Sequence, residues 1–293
     1  MAFRSATRWV VKVGTSTVTG GEAGLNVARM DALVEQLAGL VRQERRVVLV
    51  SSGAIGAGTR RLGLRRRPRS IPEKQAAAAV GQGLLMEVYE KLFARHGLVV
   101  AQVLLTREDV TDRRRYLHCR NALLKLWELG AVPVVNENDT VAVDEIRFGD
   151  NDTLSALVAA LVDAQVLVIL SDVDGLYSDD PARNPRAERL EVVEAITPRL
   201  WQLARGTRNP DGTGGMVTKL EAAAMATRLG IGVVLAHGAA PDVLGRIGRG
   251  EAVGTYFPPT GRRLDGRRRW IATSRRPRGV LRVDEGARRA IVE

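Results

Sequence analysis

Short, mostly apolar runs alternate along this chain with longer segments of helical periodicity. The runs Trp9–Val13, Val47–Val50, Leu98–Leu105, Ala131–Val135, Val166–Leu170 and Ile231–Ala236 have strand length. Between them, Asn26 is placed to cap a helix whose apolar face is Met30, Leu33, Val34, Leu37, Leu40 and Val41. Further helices are expected over Lys74–Ala94, Arg113–Leu129, Asp152–Val162 and Val217–Leu229. Strands that are apolar on both faces and alternate with helices must be covered on both sides. The pattern therefore predicts an α/β fold, a three-layer αβα sandwich around a mainly parallel sheet.

Such sheets bind ligands beyond the carboxyl ends of their strands, so polar and glycine-rich motifs should fall just after the apolar runs. They do. Lys12-Val13-Gly14-Thr15-Ser16 closes the first run, and Ser51-Ser52-Gly53 begins the loop after the second. Asn136-Glu137-Asn138-Asp139 follows the fourth and Ser171-Asp172-Val173-Asp174-Gly175 the fifth. Four polar clusters at four strand ends describe one convergent site better than four unrelated loops.

The chemistry of these clusters points to phosphoryl transfer. No G-x-x-x-x-G-K-[ST] loop is present. Gly212-Thr213-Gly214-Gly215-Met216-Val217-Thr218-Lys219 opens a helix instead, where free backbone N–H groups and the helix dipole favour phosphate. Taken alone, that run fits a phosphate cradle and a plain loop equally well. Lys12 is more informative, because a lysine inside an apolar strand is costly to bury without a partner. Lys12 and Lys219 could clamp a transferring phosphoryl group from two sides. An acceptor that is already a carboxylate needs no general base. His96, His118 and His237 fall in no acid–base constellation and read as surface or packing residues. Asp150-Asn151-Asp152 and Asn136–Asp139 combine acids with amides, which suits an amino-acid ligand with an ammonium and carboxylates. Ser52-Gly53 adds a hydroxyl and a backbone N–H. No protein metal ligands are expected, and Mg²⁺ would ride on the phosphates of ATP.

Charge is unevenly spread along the chain. Lys plus Arg number 44 against 33 Asp plus Glu, for a net charge of +11. Only five of the 44 are lysines, a skew that reads as compositional bias rather than a nucleic-acid role. The excess is concentrated after Arg262, with a second cluster over Arg60–Arg69. A polyanion-binding tail is the competing reading, but only Trp270 could offer a stacking surface beside those arginines. The one cysteine, Cys119, excludes an internal disulfide and suits a reducing cytoplasm in a structural role. No leader peptide and no membrane span are expected.

The motifs VVKVGTSTVTGG (10–21), VVLVSSGAIGAG (47–58), KQAAAAVGQ (74–82), LLTREDVTDRRRY (104–116), VPVVNENDTVA (132–142), FGDNDTLSALVA (148–159), DVDGLYSDDPARNP (172–185) and GTGGMVTKLEAA (212–223) occur in this order. With them the chain resembles the amino-acid kinase family, and within it the glutamate 5-kinases, from Val10 to about Phe257. The resemblance implies ATP and L-glutamate as substrates and glutamyl 5-phosphate as product. It implies Lys12, Ser171, Asp172 and the loop Thr213, Gly214, Gly215, Met216, Val217, Thr218 and Lys219 as nucleotide and phosphoryl contacts. Ser52, Gly53, Asp139 and Asn151 are implied as glutamate ligands, with Asn136 nearby and Asp152 orienting the two lysines. Proline feedback inhibition and a dimer or tetramer are implied as well. On this reading residues 1–260 form the catalytic domain and 261–293 a basic linker. Arg278–Val292 resembles only the opening strand and helix of a PUA module, too short to form that module's core. Relatives acting on acetylglutamate, aspartate, a nucleotide or a phosphorylated isoprenoid remain the nearest alternatives. The Asn136–Asp139 and Gly149–Asp152 pair favours free glutamate.

Overall fold

A computed structural model describes residues 3–20, 24–141, 151–181, 183–206, 215–261, 264, 266–274 and 283–292. In its first half, strand β1 (Arg8–Val13) leads through the short α1 (Thr15–Val18) and α2 (Val27–Arg42) to β2 (Arg46–Ser51). Helices α3 (Ala54–Arg61) and α4 (Ile71–Ala94) precede β3 (Val100–Leu105), and α5 (Arg107–Thr111) and α6 (Arg113–Glu128) precede β4 (Val132–Glu137). Helix α7 (Asn151–Leu161) then carries the chain to β5 (Val166–Ser171). The second half contributes α8 (Pro198–Gly206), α9 (Met216–Arg228), β6 (Gly232–His237), α10 (Val243–Gly248), β7 (Thr255–Phe257), α11 (Gly266–Ser274) and α12 (Glu285–Val292).

The seven strands form one sheet in the order β3-β4-β2-β1-β5-β6-β7. All neighbours are parallel except β7, which runs antiparallel to β6 at one edge. The expected αβα sandwich is present. Alternate residues of the central strands feed two separate cores, as the period of a strand requires. Val10, Val48, Leu167, Ile169 and Val233 pack on one face with Leu154 and Leu157 of α7 and Leu220 of α9. Trp9, Val11, Val47, Leu49 and Val168 pack on the other with Leu33 and Leu37 of α2 and Leu85 and Phe93 of α4. Each fully buried side chain of this size contributes about 1.5–3 kcal/mol from burial.

Local signals start α2 where the sequence places it and start α4 three residues earlier than the expected Lys74. Asn26 Oδ1 accepts from the Arg29 backbone N–H at 3.1 Å. Ser70 and Glu73 form a reciprocal capping box at the start of α4. Helices α3 and α4 then cross very closely. A Cβ on Gly58 would run into the Ala77 carbonyl, and one on Gly81 into the Ala54 carbonyl. This crossing holds the α4 residues after Gly81 near the loop that follows β2. Gly81→Ala is therefore expected to lower stability by about 1–3 kcal/mol, because backbone cannot yield as a side-chain tip can. A urea midpoint equal to that of the parent protein would contradict the close crossing.

Beyond β7, α11 lies against α5 and α7. Arg269 is buried there, 2.6 Å from Asp163 Oδ1, and donates to the Ala160 carbonyl at the end of α7. A cation at a helix C-terminus is favourable. Among the described residues, no helix is long and apolar enough to cross a membrane. The expected strand before α12 lies outside the described residues.

Candidate active site

Strand β1 sits at the middle of the sheet, with β2 and β5 on either side. Lys12 is its penultimate residue, paired in register with Val50 and Ile169, and only 5% exposed. Helix α7 crosses over β1, β2, β4 and β5 and presents Asp152, which is wholly buried, in its first turn. Asp152 Oδ1 lies 2.5 Å from Lys12 Nζ and Oδ2 lies 3.3 Å from Lys219 Nζ. Lys219 stands in the first turn of α9 and is 7% exposed. Thr218 Oγ1 is 2.9 Å from Asp152 Oδ2. Three elements far apart in sequence thus bring two ammonium groups onto one carboxylate.

Burial is the strongest influence on Asp152 and opposes its charged form. The charges of Lys12 and Lys219, with hydrogen bonds from Lys12 and Thr218, outweigh it and hold the carboxyl below the usual aspartate range. The group is therefore an anion at neutral pH. Lys12 and Lys219 are both less than a tenth exposed, so their charges are poorly screened by water. The N-terminus of α9, with Gly215, Met216 and Val217 half-buried, adds the positive end of a helix dipole. This donor set fits a polyphosphate. Thr213 and Gly214 lie outside the described residues, as does Asp150.

The residue before Asp152 belongs to a second cluster. Asn151 Nδ2 donates to the Ser51 carbonyl at 3.1 Å, Ser52 Oγ at 2.8 Å and Asn136 Oδ1 at 2.9 Å. Ser52 and Asn136 follow or end β2 and β4, so the expected convergence of strand ends is real for these residues. Gly53 has φ +108°, and a Cβ there would lie 2.6 Å from Val18 Cγ2, so only glycine turns the chain from Ser52 into α3. Asp139 is half-buried in the turn after β4. At the end of β5, Ser171 Oγ donates to Asp172 Oδ1 at 2.9 Å. Backbone bonds from Gly14 to Leu170 and from Gly238 to Ser171 tie the ends of β1, β5 and β6 together.

Two participants carry no individual role in the sequence pattern. Thr218 stands in the glycine loop as a general phosphate contact, yet its hydroxyl meets Asp152. Gln82 ends the motif KQAAAAVGQ, is 8% exposed, and accepts from Asn136 Nδ2 at 2.9 Å. A glutamine at a core-facing position right after a crossing glycine is the signal that could have exposed it. Among the described residues, no three His, Cys, Asp or Glu side chains gather as a metal cage. Both oxygens of Asp152 face lysines.

A parallel sheet with two lysines braced on one aspartate at its carboxyl ends has the donor set that a phosphotransferase needs. The comparisons narrow that class. The amino acid kinase family model matches residues 7–237, and the chain belongs to that family. It is 53% identical to a glutamate 5-kinase of Moorella thermoacetica and 54% identical to one of Myxococcus xanthus. Each match covers 99% of this chain and 77% of the relative. The glutamate 5-kinase of Gloeobacter violaceus is 53% identical, over 97% of this chain and 78% of its own length. Among solved structures, an isopentenyl phosphate kinase of T. acidophilum superposes with a TM-score of 0.58 at 22% identity, covering 86% of this chain and all of that one. A UMP kinase of Ureaplasma parvum gives 0.59 at 14% identity over 86% and 99%. These two likenesses bear on the fold alone.

Proposed function

We propose that this chain transfers the γ-phosphoryl group of ATP to the side-chain carboxylate of L-glutamate, forming glutamyl 5-phosphate, the first step of proline synthesis. The observation that carries the reading is the junction of two sites at consecutive residues. Asp152 braces Lys12 and Lys219, while Asn151 ties Ser52 to Asn136. The relatives named glutamate 5-kinase support the choice of acid. In this reading Lys12, Lys219 and the α9 N-terminus neutralise the phosphates, and Ser171 and Asp172 border the nucleotide. Ser52, Gly53, Asp139 and Asn151 hold the amino acid. Mg²⁺ enters with the phosphates of ATP.

The roles follow from charge. A carboxylate oxygen attacks the phosphoryl group as an anion, so no proton has to be removed and no histidine is needed. Charge spreads over the phosphoryl oxygens in the transition state, and fixed ammonium groups in a dry site stabilise it there. Asp152 keeps two neighbouring cations compatible before the nucleotide arrives. A homo-oligomer, inhibition by proline and a cytoplasmic setting belong to the same proposal. The exposed arginines of the basic tail act in it as solvated surface, whereas Arg269 is buried against Asp163.

Trapping the acyl phosphate with hydroxylamine tests the substrate. Glutamate-dependent hydroxamate formation and ADP release should exceed those with aspartate or N-acetylglutamate, and free proline should suppress them. Equal rates with all three acids would remove the glutamate assignment.

A further inference from the structure

Asn136 is 3% exposed, and its side chain is engaged at both ends. Its Oδ1 accepts from the Glu137 backbone N–H and from Asn151 Nδ2, each at 2.9 Å. Its Nδ2 donates to Gln82 Oε1 at 2.9 Å. The sense of this amide chain is set by backbone groups, which cannot flip. The Ser51 carbonyl requires Asn151 Nδ2 as donor, and the Glu137 N–H requires Asn136 Oδ1 as acceptor. Gln82 Oε1 must therefore face Asn136. Among the described residues, that leaves Gln82 Nε2 as a buried donor with no partner. An unpaired buried donor costs about 1–3 kcal/mol, and a site tolerates it where an acceptor arrives with the ligand.

We propose that Gln82 is a specificity-determining residue of the acceptor site: its Oε1 fixes the sense of Asn136 and Asn151, and its Nε2 offers a donor to a carboxylate oxygen of the acceptor amino acid. Asn136 is then a positioning residue that acts through Asn151. The ligand class is an acid with an oxygen to place at this donor. This inference rests on the proposed phosphorylation of an amino-acid carboxylate and extends it to a helix, α4, on the opposite side of the site from α7.

Steady-state kinetics of three variants test it. Gln82→Leu removes both functions and should raise KM for glutamate about 10-fold, with KM for ATP and kcat within about twofold of the parent. Unchanged constants, or equal rises in both KM values, would overturn the proposal. Gln82→Glu keeps the shape. A protonated carboxyl there can still accept and donate, and burial raises its pKa. Its KM for glutamate, relative to the parent, should be close to one at low pH and climb as the pH rises through that pKa. A ratio that does not change with pH would overturn the proposal even if Gln82→Leu failed to fold. A parent protein inactive with every amino acid would refute the proposed function alone. The relay is then read from urea midpoints of Gln82→Leu, Asn151→Ala and their double variant. Losses smaller in the double variant than the two singles combined support it, and additive losses overturn it.

Discussion

Lys219→Ala should lower kcat for hydroxamate formation by about 10²-fold or more, with a smaller change in KM for glutamate. Removing one fixed donor from a developing oxyanion costs about that much in other enzymes. Lys219 is buried, so its charge is poorly screened where the phosphoryl oxygens gather electron density. The variant leaves Asp152 paired with Lys12 at 2.5 Å, a balanced pair, so the protein should remain folded while the chemistry fails. Lys219→Arg should recover little of the lost rate, because a planar fork cannot replace a compact ammonium on the Asp152 side of the site. A kcat equal to that of the parent would refute a role for Lys219 in the chemical step.

Asp152→Ala should do the reverse and strike stability first. It removes the carboxylate that Lys12 and Lys219, both more than nine-tenths buried, share. Breaking a buried ion pair from one side costs about 3–5 kcal/mol, a large fraction of the 5–15 kcal/mol that typically holds a domain folded. The acid side of the stability profile should change too. The Asp152 carboxyl is depressed in the folded protein, so its contribution is fully present above the unfolded aspartate pKa of about 4. It is lost as the pH falls through the lower folded value. The gap between parent and variant in urea midpoint should therefore be constant near neutrality and narrow below about pH 4. A neutral-pH difference under about 1 kcal/mol would mean that the lysines find other anions, and the bracing role would fall.

Much of the fold is legible in the chain because parallel strands covered on both faces leave a strong mark. Six of the seven strands coincide with the apolar runs to within a few residues, and Asn26 caps α2 as its spacing implies. The missing strand, β7, is three residues long and antiparallel, too short to carry a period. Helices α3, α5, α8 and α10 also escape, being short and held by packing. Helix α3 survives on a glycine crossing that no amphipathic pattern announces. At the site, Lys12 stands out locally, because a lysine in an apolar strand demands a partner. The partner is not local. Asp152 and Lys219 are 140 and 207 positions away, and only the crossing of α7 over β1 brings them together.

The lysines, the carboxylate and the strand-end amides were thus set by the sequence alone, since residue type and position along a strand decide which chemistry can reach the carboxyl edge of a sheet. Tertiary structure decided how those groups are joined. Three chain segments meeting at Asp152 make one compensated charge cluster from three separately costly ones. The amide chain from Ser52 through Asn151 and Asn136 to Gln82 exists only because α4 is pressed against α3 at two glycines. Hydrogen bonds act over about 3 Å and burial excludes water from every group at once, so such pairings are settled by proximity in space and leave no spacing in the sequence to be read.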